Sequence, residues 1–307
     1  MTKTKNPASE HRSGTVAIVG RPNVGKSTFL NLALGEALAI VSPVPQTTRN
    51  RILGVVHRPG AEIALLDTPG IHKPHSRLGR TLNRTARHAT EEADVVIYMT
   101  TPSKPPAGLH PGDRTLLADI GAGKPTIVVI NMIDKVRDKG NLLPLMDDLS
   151  RLRDFAAIVP ISALRGDGAD RVLDEAAKCL PLGAPKYDAE TLTDRPMRWL
   201  AAEFVREPIL QWAREEIPHA VAVEITTFEE HAKGARIEAT IHVERDGQKR
   251  ILIGKGGERL KAVGTSARMR IEALLGKKVH LSLWVRVTAD WTESEKALLE
   301  LGYGADG

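Results

Sequence analysis

The sequence has one cysteine and no long apolar segment. With Cys179 alone among 307 residues, no internal disulfide can form, and we expect a reducing cytoplasm. No apolar run approaches the roughly 20 residues that span a bilayer. Residues 1–13 lack the apolar core of a secretory signal, and we predict that they form a disordered polar tail. Apolar neighbours at helical spacing place Cys179 in a core, and a nucleophilic thiol is the less favoured alternative.

The net charge of the whole chain is also small. The 43 basic and 38 acidic residues leave a net charge of +5, which does not by itself indicate nucleic-acid binding. The positive charge is concentrated between Arg245 and Arg286, where eleven basic and three acidic residues give a net charge of +8. A patch of this sign attracts phosphate. A solvated charged surface is the alternative.

The first half of the chain alternates short apolar runs with helical stretches, without internal repeats. The apolar runs predict strands buried on both faces at 15–20, 61–67, 93–99, 125–131 and 156–162. Helices are predicted at 26–34, 78–91, 112–120 and 142–153. The alternation predicts a mostly parallel α/β sheet with helices on both faces over residues 14–181. Such sheets bind ligands at the carboxyl ends of their strands.

A smaller α+β domain is predicted after a linker. Residues 181–196 include three prolines and no periodic apolar face, so we assign 182–196 to the linker. The second domain then covers 197–293, and 294–307 form a C-terminal tail. Within this domain we predict a turn at Asp246-Gly247 and a helix that is interrupted where Pro208 starts a second segment. The predicted helix and strands lie at 197–212, 220–227, 235–244 and 279–287.

Residues 20–27 match the phosphate-binding motif Gly-x-x-x-x-Gly-Lys-Ser, directly after a predicted strand and at the start of a predicted helix. The glycines and successive N–H groups of such a loop wrap phosphate oxygens. Lys26 is expected to neutralise the β and γ phosphates, and Ser27 to offer a hydroxyl to Mg²⁺. An incidental glycine-rich turn is the alternative. The predicted contacts are Gly20, Arg21, Pro22, Asn23, Val24, Gly25, Lys26, Ser27 and Thr28.

Two further segments complete a predicted magnesium and γ-phosphate site. Asp67 ends another predicted strand and can hold Mg²⁺ through water, and the N–H of Gly70 can sense the γ phosphate. Thr48 is predicted to supply the second magnesium hydroxyl, with Thr47 as the alternative. The predicted metal ligands are Ser27, Thr48 and Asp67, the catalytic residues are Lys26, Thr48, Gly70 and Asn23, and the nucleotide contacts continue through Thr68, Pro69 and Ile71.

Residues 131–134, Asn-Met-Ile-Asp, indicate a guanine site after the next predicted strand. Asp134 can accept hydrogen bonds from the N1–H and exocyclic amine of guanine, whereas adenine would leave this carboxylate unpaired. The segment is similar to the Asn-Lys-x-Asp signature of translational GTPases. Met132 replaces the lysine and supplies apolar cover without charge, so we expect guanine preference with weaker binding. The predicted base contacts are Asn131, Met132, Ile133, Asp134, Ser162 and Ala163, with a backbone N–H of 161–163 meeting guanine O6.

The residue after Gly70 predicts slow hydrolysis. Ras-like GTPases place a glutamine there to orient the attacking water, which Ile71 cannot do. An arginine finger cannot be assigned, although Arg49 lies in the appropriate loop. GTPases that resemble this chain often use an asparagine of the phosphate loop to help hold K⁺. We therefore predict K⁺-stimulated hydrolysis that depends on Asn23.

Residues 254–257, Gly-Lys-Gly-Gly, form a G-x-x-G motif inside the basic window. In KH domains this loop lets the backbone approach the phosphates of about four nucleotides. The motif follows apolar residues and precedes a helical stretch. An ordinary turn is the alternative, but Lys255 and the surrounding positive charge favour RNA binding.

The segments GRPNVGKST, PQTTR, DTPGIH and ILIGKGGERLKAVG, in this order, closely resemble the bacterial Era family of GTPases over about residues 14–291. The resemblance implies a type II KH domain, GTP or GDP with Mg²⁺, binding near the 3′ end of 16S rRNA, a role in 30S subunit maturation and peripheral association with the cell membrane. The chain departs from the family at Met132, at Pro208 and in the loose segment 100–113. The resemblance also implies RNA contacts by Gly254, Lys255, Gly256, Gly257, Arg259 and Lys261. We expect a monomer.

Two other functional classes compete with this interpretation. A KH-type RNA-binding protein with a weakened nucleotide site is supported only by Met132 and Ile71. A GTPase of tRNA modification or membrane transport would share the phosphate loop but gives no reason for the G-x-x-G motif. A GTP-switched ribosome assembly factor accounts for both halves of the chain and is favoured.

Overall fold

The computed structural model describes residues 11–102, 109–121, 123–213 and 216–304. Three sequence predictions therefore lie partly outside the described residues. They are the N-terminal tail at residues 1–10, the loose segment at 103–108 and the C-terminal tail at 305–307.

The chain divides into two compact units, and each contains more than one stretch of sequence. The first includes the chain up to Ala39, Thr48–Lys73 and Leu82–Asp194. The second includes Ile40–Thr47, Pro74–Thr81 and the chain from Arg195.

A six-stranded sheet forms the centre of the first unit. Its strands are β1 (Arg12–Gly20), β2 (Ile52–Arg58), β3 (Ala61–Asp67), β4 (Val95–Thr100), β5 (Thr126–Ile130) and β6 (Ala157–Pro160). Their order is β2-β3-β1-β4-β5-β6, and every neighbouring pair is parallel except β2 with β3. The predicted mostly parallel sheet is thus confirmed, with one antiparallel strand, β2, that the sequence pattern did not predict.

Five helices accompany this sheet, and all residues of β4 and β5 are buried, as their continuous apolar sequences predict. The carboxyl ends of β1, β3, β5 and β6 each lead into one of the predicted nucleotide motifs. Parallel strands bring these ends to one edge of the sheet. The helices are α1 (Lys26–Leu34), α2 (Arg77–Glu92), α3 (Pro111–Asp119), α4 (Leu143–Ser150) and α5 (Ala169–Cys179).

The second unit contains a three-stranded sheet of β7 (Ala222–His231), β8 (Gly234–Val243) and β9 (Lys278–Val287). β7 and β8 are antiparallel, and β8 and β9 are parallel. Alternate residues of β8 are fully buried, as are Val263, Ala267 and Ile271 along one face of a long helix. The helices are α6 (Met197–Trp212), α7 (Ile217–Ala220), α8 (Asp246–Ile253), α9 (Glu258–Leu275) and α10 (Glu295–Glu300).

Two predictions about the second unit are wrong. Pro208 does not interrupt α6, which continues to Trp212. A proline inside a helix removes one hydrogen bond at a cost of about 3 kcal/mol, and burial of the flanking Val205 and Ile209 opposes that cost. Asp246-Gly247 does not form a turn but opens α8, because Gln248 accepts a hydrogen bond from the N–H of Arg245 (3.1 Å) and caps the helix start.

Two segments predicted to be irregular are ordered by specific contacts. Residues 294–304 include α10, which Ser294 caps, and the ring of Tyr303 stacks on Trp291 with 5.6 Å between centroids. In the predicted linker, the N–H groups of Lys186 and Tyr187 donate to Glu62 at 2.7 and 3.1 Å. These contacts tie the linker to the first unit.

Cys179 ends α5 and is half-buried rather than enclosed in a core. Burial raises the pKa of its thiol, which disfavours the thiolate. Among the described residues, no helix is long and apolar enough to cross a membrane.

Candidate nucleotide-binding and RNA-binding sites

The predicted phosphate loop connects β1 to α1. Asn23 and Gly25 have φ angles of 62° and 97°, which turn the backbone back on itself, and the Asn23 side chain is exposed. A Cβ on Gly25 would lie 2.2 Å from Nδ2 of Asn131, so only glycine fits there. The buried ammonium of Lys26 donates to the carbonyls of Gly20 (3.3 Å) and Arg21 (3.1 Å).

Lys26 is poised to bind an anion. Burial lowers the pKa of Lys26 from 10.5 to about 8, and the nearby Asp67 carboxylate opposes this shift. A phosphate group beside the ammonium would favour its charged form. The loop therefore offers backbone N–H groups and one cation to a polyphosphate.

Ser27, Thr48 and Asp67 form a buried oxygen cluster. Oδ2 of Asp67 accepts from Oγ of Ser27 (2.7 Å) and from Oγ1 of Thr48 (3.1 Å), and the two hydroxyl oxygens are 2.9 Å apart. Oδ1 of Asp67 is buried and has no hydrogen-bond partner among the described residues. Hard oxygen donors and an orphaned carboxylate oxygen suit Mg²⁺, which takes few protein ligands and completes its shell with phosphate and water.

The structure brings Thr48, and not Thr47, to this cluster. Thr47 belongs to the second unit, where its carbonyl accepts a hydrogen bond from the Arg206 guanidinium. Arg49, the candidate finger, is buried. Its side chain is therefore not displayed on the surface of the loop.

The segment after β3 packs directly on the phosphate loop. Oγ1 of Thr68 donates to the carbonyl of Ile18 (2.7 Å), and the N–H of Ile71 donates to the carbonyl of Gly20 (3.3 Å). A Cβ on Gly70 would lie 2.7 Å from Cα of Pro22, so this approach requires glycine. The side chain of Ile71 lines a cavity of about 300 Å³ beside the sheet, and this side chain has no polar group that could orient a water molecule.

A buried carboxylate holds the phosphate loop from behind. Asp113, in the first turn of α3, accepts from Nε of Arg21 (2.8 Å), from the Tyr98 hydroxyl (2.7 Å) and from the Thr100 hydroxyl (2.7 Å). Asp113 is fully buried. Sequence reasoning missed this group, although acidic residues at helix starts and polar residues at strand ends are recognisable signals.

Asn131 joins the phosphate loop to the predicted base site. Its Nδ2 donates to the carbonyl of Val24 (2.8 Å), and its Oδ1 accepts from the N–H of Ala163 (2.9 Å). The N–H of Ala163 thus orients Asn131, and the contact of a backbone N–H of 161–163 with guanine O6 stays a prediction.

Asp134 is positioned to accept hydrogen bonds from a base. Its Oδ1 accepts from Oγ of Ser162 (2.7 Å), and this bond is the main reason that the pKa of Asp134 lies below its ordinary value. The carboxylate is therefore ionised at neutral pH and only partly buried. Met132 precedes it with φ of 63°, and the Lys135 ammonium lies 3.3 Å from the Met132 sulfur.

The other predicted nucleotide residues occupy the same edge of the first unit. Ile133 donates its N–H to the carbonyl of Ile161 (3.2 Å), which links the two base segments. Val24 is buried, Thr28 is partly buried near the start of α1, and Pro69 lies between Thr68 and Gly70 in the segment on the phosphate loop.

The G-x-x-G motif forms an exposed bend between α8 and α9. Gly254, Gly256 and Gly257 all have positive φ, and the Lys255 side chain is exposed at the tip. A Cβ on Gly254 would lie 2.9 Å from Cγ of Arg259, so the bend is closely packed on one side. Such a backbone can approach phosphates closely.

Beside this bend lies a groove of about 480 Å³ between α9 and β9. Lys261, Thr265 and Arg268 line its helix side at positions i, i+4 and i+7, and His280 lines the strand side. Sequence reasoning named Lys261 but missed Thr265, Arg268 and His280, although the helical spacing from Lys261 would have found the first two.

Arg259 is engaged within the protein. Its guanidinium lies 5.2 Å from the centre of the Trp212 ring, and its Nη1 donates to the carbonyl of Ile251 (3.0 Å). These contacts help to hold the loop, and the phosphate contact that the resemblance implies for Arg259 stays a prediction.

Both units match known protein families. A family model for 50S ribosome-binding GTPases matches residues 15–132, and a KH domain model matches residues 216–292. Among solved structures, Era in complex with MgGDPNP and nucleotides 1506–1542 of 16S ribosomal RNA has a TM-score of 0.91 at 41% identity, covering 96% of this chain and 99% of that one. A variant of Aquifex aeolicus Era bound to GDP·AlF4⁻ also has a TM-score of 0.91 at 41% identity, covering 95% and 99%.

Curated relatives match the chain over almost its whole length. GTPase Era of Geobacter metallireducens is 46% identical over 294 residues, which cover 95% of this chain and 98% of that protein. GTPase Era of Stenotrophomonas maltophilia is 43% identical over 296 residues, with the same coverage. With the phosphate loop, the base segment and the G-x-x-G bend all in place, the chain belongs to the Era family of GTPases.

Proposed function

We propose that this protein is a GTP-binding and GTP-hydrolysing ribosome assembly factor, which binds 16S rRNA near its 3′ end through its KH domain and acts in 30S subunit maturation. The buried cluster of Ser27, Thr48 and Asp67 beside the phosphate loop is the observation that carries the enzymatic half. The solved Era complex with MgGDPNP and nucleotides 1506–1542 of 16S rRNA supports these ligands for a chain of 41% identity.

The phosphate loop would bind the nucleotide phosphates through its N–H groups and the Lys26 ammonium. Ser27, Thr48 and Asp67 would hold Mg²⁺, which when bound supplies positive charge between the β and γ phosphates. The N–H of Gly70 would contact the γ phosphate. Asp134 would select guanine, while Asn131 keeps the phosphate loop and the base segment in register.

Unassisted hydrolysis is proposed to be slow, because Ile71 cannot orient a water molecule and an arginine finger is worth on the order of 10³–10⁵ in rate. Asn23, exposed at the turn of the phosphate loop, would help to hold K⁺ in place of that arginine. Equal turnover in K⁺ and Na⁺ would contradict this role for Asn23.

RNA would bind along the groove between α9 and β9. The N–H groups of Gly254, Gly256 and Gly257 and the Lys255 ammonium would contact phosphates at one end of the groove. Lys261 and Arg268 would neutralise the strand further along α9. Arg259 would act through the loop that it holds.

The proposal includes a division of the chain and a location. We propose a GTPase domain over 14–181, a linker over 182–196 and a type II KH domain over 197–293, acting as a monomer in the cytoplasm. Peripheral association with the inner face of the cell membrane is the part of the proposal that a flotation assay with lipid vesicles would test.

Calorimetric titration of GDP and of a non-hydrolysable GTP analogue, with phosphate release from GTP, tests the enzymatic half. We expect binding of both nucleotides to the wild-type protein. Asp67→Asn should weaken magnesium-dependent binding of the analogue by at least tenfold, while the RNA affinity measured without nucleotide should stay unchanged. RNA binding without any heat from either nucleotide would instead support the alternative, an RNA-binding protein with a weakened nucleotide site. The assembled cluster around Asp67 disfavours that alternative.

A further inference from the structure

The two faces of strand β9 carry different chemistry. Val279, Leu281 and Leu283 line the groove against α9, whereas the alternate residues from His280 to Arg286 face the opposite side of the sheet. β9 pairs with β8 along one edge, which places Trp284 beside Thr240 and Arg286 beside His242 on that opposite side. This surface, formed by His280, Ser282, Trp284 and Arg286, is called here the outer β9 face.

An indole lies open to solvent in the middle of the outer β9 face. Trp284 is 51% exposed, whereas Trp291 in the same unit is fully buried. A single exposed apolar residue is common on protein surfaces and has no meaning by itself. Its setting is what matters, because an exposed ring next to a basic side chain offers a stacking surface and a positive charge to single-stranded nucleic acid.

The charge around Trp284 is positive along β9. The strand has no acidic residue, and Arg286 has no carboxylate within ion-pair distance among the described residues. Acidic residues are concentrated on β7, at the far edge of the sheet, where Glu224 pairs with His242 and Glu230 with Lys277. The Glu238 carboxylate on β8 is paired with Arg236 (2.5 Å). A polyanion would therefore be attracted to the β9 edge and repelled from the β7 edge.

The outer β9 face is continuous with the groove. His280 lines the groove and also belongs to the outer face, where its Nε2 lies 3.5 Å from Oγ of Ser282. Trp284 follows His280 by four residues on the same face, or roughly 13 Å along a strand. A polynucleotide that leaves the groove past His280 therefore meets Trp284 and then Arg286.

We infer that single-stranded RNA held in the groove continues around the edge of β9 and stacks a base on Trp284, with Arg286 contacting the adjacent phosphate. The inference rests on the RNA-binding role proposed above and extends the site beyond the groove that the G-x-x-G bend defines. It gives the KH domain a longer footprint than the about four nucleotides of that bend.

Affinities for RNAs of different length distinguish the loss of a contact at Trp284 from a general loss of RNA binding. Affinity is measured by fluorescence anisotropy for the RNA spanning nucleotides 1506–1542 of 16S rRNA and for truncations from either end, down to about four nucleotides. We expect Trp284→Ala to weaken the long RNA about tenfold, within the range of base–aromatic stacking, and to leave the shortest bound RNA unchanged. Arg286→Ala should weaken binding of the long RNA and reduce the salt dependence of that affinity by the equivalent of about one phosphate contact.

Matched variants control for loss of structure. Trp284→Phe should retain most of the affinity because the ring can still stack. Leu299→Ala removes another exposed apolar side chain (62%) and should not change the affinity. Gly256→Asp should weaken short and long RNA alike.

The outcomes distinguish the two proposals. If the wild-type protein binds none of these RNAs, the proposed function and this inference are both overturned. If Gly256→Asp weakens binding but Trp284→Ala binds the long RNA like the wild type, or weakens short and long RNA equally, only the inference about the outer β9 face is overturned.

Discussion

Single residues decide which purine the first unit accepts, and Met132 is the unusual one. Asp134 is ionised and oriented by Ser162, so the selectivity for guanine that we propose for Asp134 does not depend on residue 132. Met132 covers the site without adding charge, and the Lys135 ammonium lies against its sulfur.

We predict that Met132→Lys strengthens binding of GTP and GDP about fivefold, roughly 1 kcal/mol, because the new ammonium adds a charge near the phosphate loop. Titrations of GTP, ATP and XTP into both proteins measure the effect. ATP should bind much more weakly than GTP to either protein, and equal ATP affinity would contradict recognition of guanine by Asp134.

Asp113 is a second residue with an effect at a distance. It holds Arg21, whose carbonyl in turn accepts from Lys26, so its charge acts on the phosphate loop without touching the nucleotide. We predict that Asp113→Asn weakens GDP binding about tenfold, since the partly exposed Arg21 guanidinium loses its buried charged partner and no longer fixes the phosphate loop. Asp94→Asn is the control, because Asp94 bonds Thr15 at the other end of β4. Equal GDP affinities of the two variants would show that Asp113 has no such role.

At the scale of secondary-structure elements, the sequence correctly predicted the strands and helices whose structure depends on neighbouring residues. Neighbouring residues are enough to predict the continuous apolar strands β4 and β5 and the start of α1 at Gly-Lys-Ser. The parallel sheet follows from their alternation, and with it the gathering of the nucleotide motifs at one edge.

The errors arise where distant contacts override local signals. Pro208 predicts an interruption of the helix, but burial of its neighbours keeps α6 continuous. Asp246-Gly247 reads as a turn, but the Gln248 side chain caps a helix there. In the nucleotide site, the contact of Asp113 with the phosphate loop could not be predicted locally, because Arg21 precedes Asp113 by 92 residues.

The buried carboxylate of Glu62 holds the predicted linker on the first unit. Glu62 is buried, and burial disfavours its charge. The N–H groups of Lys186 and Tyr187, together with the Ser13 hydroxyl and His57, outweigh that effect, so the pKa of Glu62 lies below its ordinary 4.5. Its ionised form therefore stabilises the fold above about pH 4.5, and this contribution is lost as the pH falls through the lowered pKa.

Glu62→Gln should accordingly lower the free energy of unfolding by about 1–3 kcal/mol at pH 7, or roughly 2–4 °C in thermal midpoint for each kcal/mol. Thermal melts at a series of pH values measure this difference, which should narrow below about pH 4.5. Glu92→Gln, at an exposed pair with Arg51, should change little at any pH. A difference that stays constant down to about pH 3 would refute the assigned role of Glu62.

At the scale of the whole molecule, two segments next to the nucleotide motifs belong to the second unit. Ile40–Thr47 precedes Thr48, and within the second unit Oγ of Ser42 donates to the carbonyl of Leu210 (3.1 Å). Pro74–Thr81 follows the Gly70 segment, and there the N–H of Leu78 donates to the carbonyl of Thr292 (3.0 Å). The segments predicted to contact Mg²⁺ and the γ phosphate are therefore joined by peptide bonds to segments of the second unit.

This connectivity predicts that nucleotide and RNA affect each other's affinity. Coupling free energies are typically 1–3 kcal/mol, so the RNA affinities with GDP and with a non-hydrolysable GTP analogue should differ about 5- to 150-fold, and the RNA must change the ratio of nucleotide affinities by the same factor. Filter binding and calorimetry measure the two halves of this cycle. Arg77→Ala, which removes the ion pair with Glu295 in the second unit, should reduce the factor. Arg87→Ala removes a comparable pair with Asp119 in the first unit and should not. If RNA affinity is the same with both nucleotides, the segments 40–47 and 74–81 do not transmit the state of the γ phosphate.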